Sequence, residues 1–253
     1  MKYQTGLVLS GGGARGFAHL GIIQALSEKG IKPDVISGVS AGAIVGAFIA
    51  SGRPPHEVHQ LLKNKGLLKY SKIHLPVDGL LRLDGLKEVL AKEIPYARLE
   101  ELPIPLFVGI SNLNEGRVEY HNRGELPLTV LASASIPILF SPVEINGCQY
   151  VDGGLFNNIP TKPIENDCHR LIVSNIHPLD KSGKLKNMVQ IAVRTFHLSI
   201  LSKNHEARKK ADIFIEPEEL SGYEILDIKH ADEVFEVGYN AVKKLDPTLF
   251  ETF

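Results

Sequence analysis

The chain has 253 residues, 43% of them hydrophobic, which is enough for one large α/β domain with a substantial core. Its formal net charge of −1 argues against a nucleic-acid partner, and its two cysteines, Cys148 and Cys168, are too few for a disulfide framework and fit a reducing, cytoplasmic setting. The N-terminus lacks a signal-peptide core, and the longest apolar run is far shorter than the ~18 residues that a membrane span needs. We therefore expect a single cytoplasmic domain over residues 1–253.

The first part of the chain alternates between strand and helix patterns. A strand over residues 7–9 leads through a glycine run into a helix over residues 17–29, which Gly30 ends. A second strand over residues 33–37 leads into a helix that is apolar on nearly all sides and is therefore expected to be buried. This β-α-β-α order predicts parallel strands.

The remaining elements extend the same architecture. The segment over residues 66–83 has no clean period, and we interpret it as a flap. Asn146-Gly147 predicts a tight hairpin turn between two short strands. The other predicted elements are helices over 55–65, 84–94, 127–134, 188–210 and 231–245 and strands over 105–110, 117–120, 143–145, 149–151, 171–174 and 213–215. The fold class is α/β, a three-layer sandwich around a mostly parallel sheet.

The segment Gly38-Val39-Ser40-Ala41-Gly42 lies where the second strand meets the buried helix. A strand that turns sharply into a helix through Gly-x-Ser-x-Gly is a nucleophile elbow, which exposes the serine oxygen at the end of a sheet. The turn leaves no room for side chains at Gly38 and Gly42. Ser40 is therefore the candidate nucleophile.

The glycine run Gly11-Gly12-Gly13-Ala14-Arg15-Gly16 permits two interpretations. It fits the dinucleotide fingerprint of an oxidoreductase, but Asp34 comes before the second strand and not at its end, where a ribose-binding acid is needed. The alternative is an oxyanion hole, in which backbone N–H groups at a helix N-terminus hold a negative oxygen. Arg15 adds positive charge, braces the loop or is an exposed arginine at the start of the helix.

A serine nucleophile needs a base, and none of the ten histidines is an evident candidate. His19 lies within the first predicted helix, and His121 and His177 lie in loops, so we interpret them as structural. The segment His56-Glu57-Val58-His59 resembles a zinc motif, but its second histidine comes one residue too early. We expect no metal ion and no organic cofactor.

Asp152 is the best remaining base. It ends a predicted strand and begins Asp152-Gly153-Gly154, so its carboxylate is expected at a sheet edge beside glycines that permit close backbone approach. Asp-Gly is also a common hairpin turn, but the hairpin here already turns at Asn146-Gly147. A carboxylate can act as the base without histidine if burial raises its pKa towards neutrality.

In four ordered blocks the chain resembles the patatin-like phospholipases, over about residues 5–175. Three of the blocks are the glycine run, the elbow and Asp152-Gly153-Gly154, which ends in glycine where many members have alanine. The remaining block is Ala132-Ser133-Ala134-Ser135-Ile136-Pro137, followed by Phe140. The small size is similar to that of short bacterial cytosolic members.

The resemblance implies a patatin-like fold and a serine acyl hydrolase that cleaves lipid carboxylic esters, of the phospholipase A or lysophospholipase type. In that family the glycine run is the oxyanion hole, and Ser40 and Asp152 match the catalytic dyad. The implied substrate is a lipid or other acyl ester, reached through transient contact with a membrane surface, and no cofactor is implied. Two alternatives stay open: an acyltransferase, and a lipid-binding regulatory module with little turnover. We expect pocket walls from residues 66–83 and from the helix after Ser40; the oligomeric state is not encoded.

Overall fold

The computed structural model describes residues 1–65, 72–73, 81–178, 188–201, 204–225 and 228–251. The helices are α1 (Phe17–Glu28), α2 (Ala41–Ala50), α3 (Pro55–Lys65), α4 (Asp84–Glu93), α5 (Leu126–Ser133), α6 (Met188–Leu201), α7 (Asn204–Lys210) and α8 (Ala231–Lys243). The strands are β1 (Tyr3–Leu9), β2 (Val35–Val39), β3 (Lys72–Ile73), β4 (Leu81–Arg82), β5 (Leu106–Asn112), β6 (Arg117–His121), β7 (Val143–Ile145), β8 (Cys148–Asp152), β9 (Cys168–Ser174) and β10 (Ile213–Ile215).

Five strands of the main sheet run parallel, in the order β10-β9-β1-β2-β5. Because parallel strands end at the same edge of a sheet, the segments that follow β1 and β2 emerge side by side. Leu9, the last residue of β1, pairs with Gly38, two residues before Ser40. The glycine run and the elbow are therefore neighbours.

The other half of the sheet is antiparallel and begins on β5. Val108 and Gly109 pair with both β2 and β6, so those two strands lie on opposite edges of β5. The next residues of β5, from Ile110 to Asn112, pair with both β6 and β8, so β8 occupies the edge that β2 has just left. Since β2 is parallel to β5 and β8 is antiparallel to it, their C-terminal ends meet. Val39 pairs with Gly109 and Asp152 with Ile110.

Helices cover both faces of the sheet. Alternation along β1 sends Leu7 and Leu9 into the larger core, which α1, α2, α3, α4, α5 and α8 complete. Val8 faces the opposite side, where it packs in a smaller core with residues of β9 and with Ala207 of α7. The predicted three-layer α/β sandwich around a mostly parallel sheet is thereby confirmed.

Most predicted elements agree with the structure to within a few residues. The hairpin between β7 and β8 turns at Asn146 and Gly147, both at positive φ. The predicted helix over residues 188–210 is helical wherever it is described, as α6 to Leu201 and as α7 from Asn204, and residues 202–203 lie outside the described part. Within the predicted flap, residues 66–71 and 74–80 also lie outside it. Among the described helices, none has the length and apolarity to cross a membrane.

Candidate active site

Ser40 occupies a strained turn between β2 and α2. Its φ is 55° and its ψ is −121°, outside the regions that non-glycine residues ordinarily adopt. A Cβ on Gly38 would lie 2.6 Å from the Gly42 carbonyl oxygen, and a Cβ on Gly42 would lie 2.3 Å from the Leu9 carbonyl oxygen. The two glycines are therefore required by backbone contacts on both sides of the serine.

Ser133, at the end of α5, supports this turn. The Ser40 N–H donates to Ser133 Oγ over 2.9 Å, and Ser133 Oγ donates to the Gly109 carbonyl oxygen over 2.7 Å. The block Ala132-Ser133-Ala134-Ser135-Ile136-Pro137 thus connects the elbow to β5. Sequence reasoning assigned no role to Ser133, since nothing in the local pattern shows which distant N–H it accepts.

Asp152 lies at the end of β8, which approaches Ser40 from the direction opposite to β2. Its Oδ1 accepts the Gly154 N–H over 2.8 Å, which orients the carboxylate at the start of a short 3-10 helix (Gly153–Leu155). A Cβ on Gly153 would lie only 2.2 Å from the Gly109 carbonyl oxygen, so glycine lets this turn press against β5. Gly153 thus allows the Asp152 carboxylate to reach its position.

Burial changes the acid strength of Asp152. The residue is 2% exposed and Ser40 is 5% exposed. Burial raises the pKa of Asp152 to about 7, while hydrogen bonding with the Ser40 side chain and with the Gly154 N–H opposes the rise. A carboxylate with a pKa near neutrality beside a serine hydroxyl has the properties of a general base.

The glycine run follows β1 and contains a 3-10 turn (Gly13–Gly16). Only some of its backbone N–H groups are free to bind a ligand. The Gly11 N–H donates to the Asn158 carbonyl oxygen over 3.3 Å, and the Ala14 N–H donates to the Ile225 carbonyl oxygen over 2.7 Å. Within the described residues, the N–H groups of Gly12 and Gly13 have no acceptor. They are the donors of this loop that an oxyanion could engage.

Arg15 braces the loop from within the protein. It is buried, so the interpretation as an exposed arginine is wrong. Its Nε donates to the Tyr223 carbonyl oxygen over 2.9 Å, and Nη1 lies 3.5 Å from the Pro178 carbonyl oxygen. The guanidinium thereby joins the glycine run to two segments of the C-terminal third.

Two cavities meet at Ser40 and Gly13. The larger one is apolar and extends between α1, α2, α3 and α4; its lining includes Phe17, Ala41, Ile44, Val45, Leu62, Leu83, Leu86, Ala134, Ile136, Phe140, Ile225 and Ile228. The smaller one contains the polar groups, and its lining includes Gly11, Gly12, Asp152, Asn158, His177, Phe196 and Ile200. Residues of α2 line the apolar cavity, as expected, and so does Leu83 at the end of the predicted flap.

The histidines fall into different environments. His177, expected to be structural, lines the small cavity. His19 lies buried below the glycine run, where Nδ1 is 2.7 Å from Ser174 Oγ and Nε2 is 2.9 Å from the Ser10 carbonyl oxygen. Burial lowers the pKa of His19 to about 4, so its imidazole is neutral at pH 7. In the described part of the chain, no group of three or more His, Cys, Asp and Glu residues could hold a metal ion.

Comparisons with known proteins show which family and fold the chain is similar to. A family model described as patatin-like phospholipase matches residues 7–164. An uncharacterized NTE family protein of Mycobacterium bovis is 34% identical over 163 residues, which are 64% of this chain and 45% of that protein. Lysophospholipase NTE1 of Candida glabrata is 27% identical over 265 residues, which are 92% of this chain and 15% of the fungal protein. The chain thus spans less than half the length of both relatives. The crystal structure of VipD from Legionella pneumophila shares the fold, with a TM-score of 0.54 at 15% identity over 99% of this chain and 67% of that one.

Proposed function

Since the chain belongs to the patatin-like phospholipase family, we propose that it is a serine acyl hydrolase that cleaves carboxylic esters of lipids through Ser40 and Asp152. The observation that carries this proposal is the meeting of β2 and β8 on one edge of β5, which brings a strained serine and a buried carboxylate together. The relative named lysophospholipase NTE1 supports a substrate of the phospholipase A or lysophospholipase type.

The reaction follows from the groups around Ser40. The Asp152 carboxylate accepts the hydroxyl proton, and Ser40 Oγ bonds to the ester carbonyl carbon. The N–H groups of Gly12 and Gly13 hold the resulting oxyanion, and the N–H of Ala41 is available beside them because it is the first residue of α2. The intermediate collapses with cleavage of the ester C–O bond, and the departing alkoxide takes the proton from Asp152.

Water completes the cycle. The water oxygen attacks the acyl-serine carbonyl carbon while Asp152 accepts one proton from the water. A second tetrahedral intermediate forms in the same oxyanion hole. Its collapse breaks the bond to Ser40 Oγ, and the serine recovers its proton from Asp152. The product is a free carboxylic acid, and the steps need no group beyond these residues and water.

The two cavities suit the two ends of such a substrate. The apolar cavity accommodates an acyl chain, because its lining is almost entirely hydrocarbon. The smaller cavity, with Asp152, Asn158 and His177, receives the polar leaving alcohol and the water. A lipid with one acyl chain and a polar head group is therefore the substrate class that fits the site.

The proposal includes transient contact with a lipid surface. Ile138 is 52% exposed at a φ of 75°, between Ile136 and Phe140 of the cavity walls. Phe196 of α6 packs on the cluster that Ile136, Leu139 and Phe140 form. The same helix exposes Met188, Ile191 and Leu198. Exposed aliphatic side chains beside a lipid-binding cavity are suited to entering a membrane interface.

The decisive experiment measures hydrolysis of a lysophospholipid panel and of p-nitrophenyl esters by the wild type and Ser40→Ala. We expect Ser40→Ala to lose turnover and fluorophosphonate labelling while its thermal transition is unchanged, and the Ser27→Ala control to keep both. Labelling without turnover in the wild type would favour the regulatory module, and acyl transfer to an added alcohol would favour the acyltransferase. Retained turnover in Ser40→Ala would refute the assignment.

Two matched pairs of variants test the apolar cavity and the exposed aliphatic side chains beside it. Leu62 lines the apolar cavity, whereas its neighbour Leu61 does not. Leu62→Phe should reduce kcat/KM for a dodecanoyl ester relative to a butyryl ester about tenfold, and Leu61→Phe should leave that ratio unchanged.

Ile138→Asp should weaken sedimentation with phosphatidylcholine vesicles several-fold, whereas Leu249→Asp, at a comparably exposed leucine, should not. The reverse result in either pair would contradict the corresponding part of the proposal.

A further inference from the structure

The peptide group between Gly11 and Gly12 is held entirely through its oxygen. Ser10 Oγ donates to the Gly11 carbonyl oxygen over 3.1 Å, and Asn158 Nδ2 donates to the same oxygen over 3.4 Å. The other end of this peptide is the Gly12 N–H, for which the described residues provide no acceptor. Two donors thus fix one end of a peptide whose other end is free to bind a ligand.

The geometry of a trans peptide makes this arrangement directional. The C=O and N–H of one peptide group lie in one plane and point in opposite directions. Two donors on the Gly11 oxygen therefore determine where the Gly12 N–H points. Rotation of this peptide, which glycines at both ends permit, would withdraw the N–H and would leave the Gly11 oxygen buried without a donor.

The Asn158 side chain lies between this peptide and the turn that follows Asp152. It is 3% exposed and lines the small cavity. Its Oδ1 lies 2.4 Å from where a Cβ on Gly11 would be and 3.0 Å from where a Cβ on Gly154 would be. Its own carbonyl oxygen accepts the Gly11 N–H. The Asn158 amide is therefore wedged between the glycine run and the turn that begins at Asp152.

Ser10, the residue just before the glycine run, is held in place independently of Asn158. The Ser10 hydroxyl accepts the Ile176 N–H over 3.0 Å, and the Ser10 carbonyl oxygen accepts from His19 Nε2. Because a carbonyl only accepts, Nε2 carries the proton, and Nδ1 accepts from the Ser174 hydroxyl. Ser10 is thus anchored on a neutral buried histidine, and it presents its hydroxyl proton to the Gly11 oxygen from a fixed position.

We infer that Asn158 is a positioning residue for the oxyanion hole: its side-chain amide, together with the Ser10 hydroxyl, orients the Gly11–Gly12 peptide so that the Gly12 N–H faces the oxygen that forms at Ser40. This inference rests on the proposed function. It assigns Asn158 a role in stabilising the transition state and none in proton transfer or in binding the acyl chain.

The test compares Asn158→Ala, Ser10→Ala and Asn157→Ala in the full chain. Asn157 is the matched control, because its amide donates to Tyr120 Oη over 2.6 Å and it does not line the cavity. Removal of an oxyanion donor lowers kcat about 10²- to 10³-fold in known enzymes, and a misoriented donor should cost less. We expect Asn158→Ala and Ser10→Ala to lower kcat roughly 10- to 100-fold with KM within about twofold, and Asn157→Ala to retain wild-type kinetics.

A second readout separates positioning from general damage. A trifluoromethyl ketone that adds to Ser40 forms an oxyanion, so its inhibition constant should rise in proportion to the loss of kcat/KM in Asn158→Ala. The inflection of the pH–rate profile near pH 7 should stay in place, because Asp152 keeps its own contacts. Wild-type kcat in Asn158→Ala, or a loss of kcat with unchanged affinity for the ketone, would overturn the inference. If Ser40→Ala also retained turnover, the proposed function itself would fail, and the two failures are therefore distinguishable.

Discussion

Two aspartates in this protein make the same local structure in different surroundings. Asp152 and Asp246 each precede a short 3-10 helix, and each accepts the N–H of the residue two positions later, over 2.8 and 3.0 Å. The pKa of Asp246, which is exposed, is lowered by its hydrogen bonds to Thr248, whereas burial raises the pKa of Asp152 to about 7. The capping hydrogen bond therefore does not raise the pKa of an aspartate. Burial beside Ser40 raises it, and the sheet supplies that burial.

The first way to test this contrast is the same substitution at both sites. Asparagine keeps an oxygen that can accept the capping N–H, so Asp152→Asn and Asp246→Asn should both fold. Asp152→Asn removes the proposed base and should lower kcat for p-nitrophenyl butyrate roughly 10³-fold. Asp246→Asn should leave kcat within about twofold. Near-normal turnover in Asp152→Asn would show that another group, with His177 as the neighbouring candidate, accepts the proton.

Stability against pH should separate the two sites in opposite directions. The pKa of Asp152 is higher in the folded protein than its ordinary 3.8, so its contribution to stability is present below about pH 4 and is lost as pH rises through 7. Asp152→Asn should therefore gain free energy of unfolding over the wild type between pH 5 and pH 8, by up to about 4 kcal/mol from three pKa units of 1.36 kcal/mol.

Asp246 should behave in the opposite way, because its folded pKa is lowered. Its contribution is present above pH 3.8 and is lost as pH falls through the folded pKa. Asp246→Asn should thus be less stable than the wild type at pH 7, with the deficit disappearing in acid. Urea denaturation of both variants from pH 2 to pH 8 measures both trends. Parallel pH trends would contradict the assigned burial of Asp152.

The smallest expected effect concerns the apolar cover of Asp152. Ile200 of α6 lines the small cavity, and its Cδ1 lies 3.3 Å from where a Cβ on Gly154 would be. Ile200→Thr should admit water and shift the inflection of kcat/KM from about pH 7 to lower pH, by about one unit or less. Activity rises with pH through this inflection, because the base acts as a carboxylate. Ile191→Thr on the exposed side of α6 is the control, and an equal shift in both variants would refute the role of burial.

The parts of the molecule that could be predicted from sequence are those that local sterics determine. The Gly38-Val39-Ser40-Ala41-Gly42 turn, the Asn146-Gly147 hairpin and the helix after the glycine run all follow from the conformations that neighbouring residues permit. Asp152 as the base remains a prediction, made from one strand end and two glycines, and the structure brings it next to Ser40.

The remaining features depend on contacts between residues far apart in the chain. Ser133 meets the elbow, Asn158 meets Gly11, and Arg15 meets Tyr223 across separations of 93, 147 and 208 positions. No local pattern specifies such pairs, because the tertiary structure determines them.

The shared edge of β5 has a consequence for the protein while it is being made. The site needs β2, β5 and β8 in place together, and β8 ends only at Asp152. A nascent chain that has left the ribosome as far as α4 already contains Ser40, the glycine run and most of the walls of the apolar cavity, but it does not yet contain Asp152. Under the proposed mechanism, Ser40 therefore stays inert towards lipid esters during synthesis until the chain has emerged as far as Asp152.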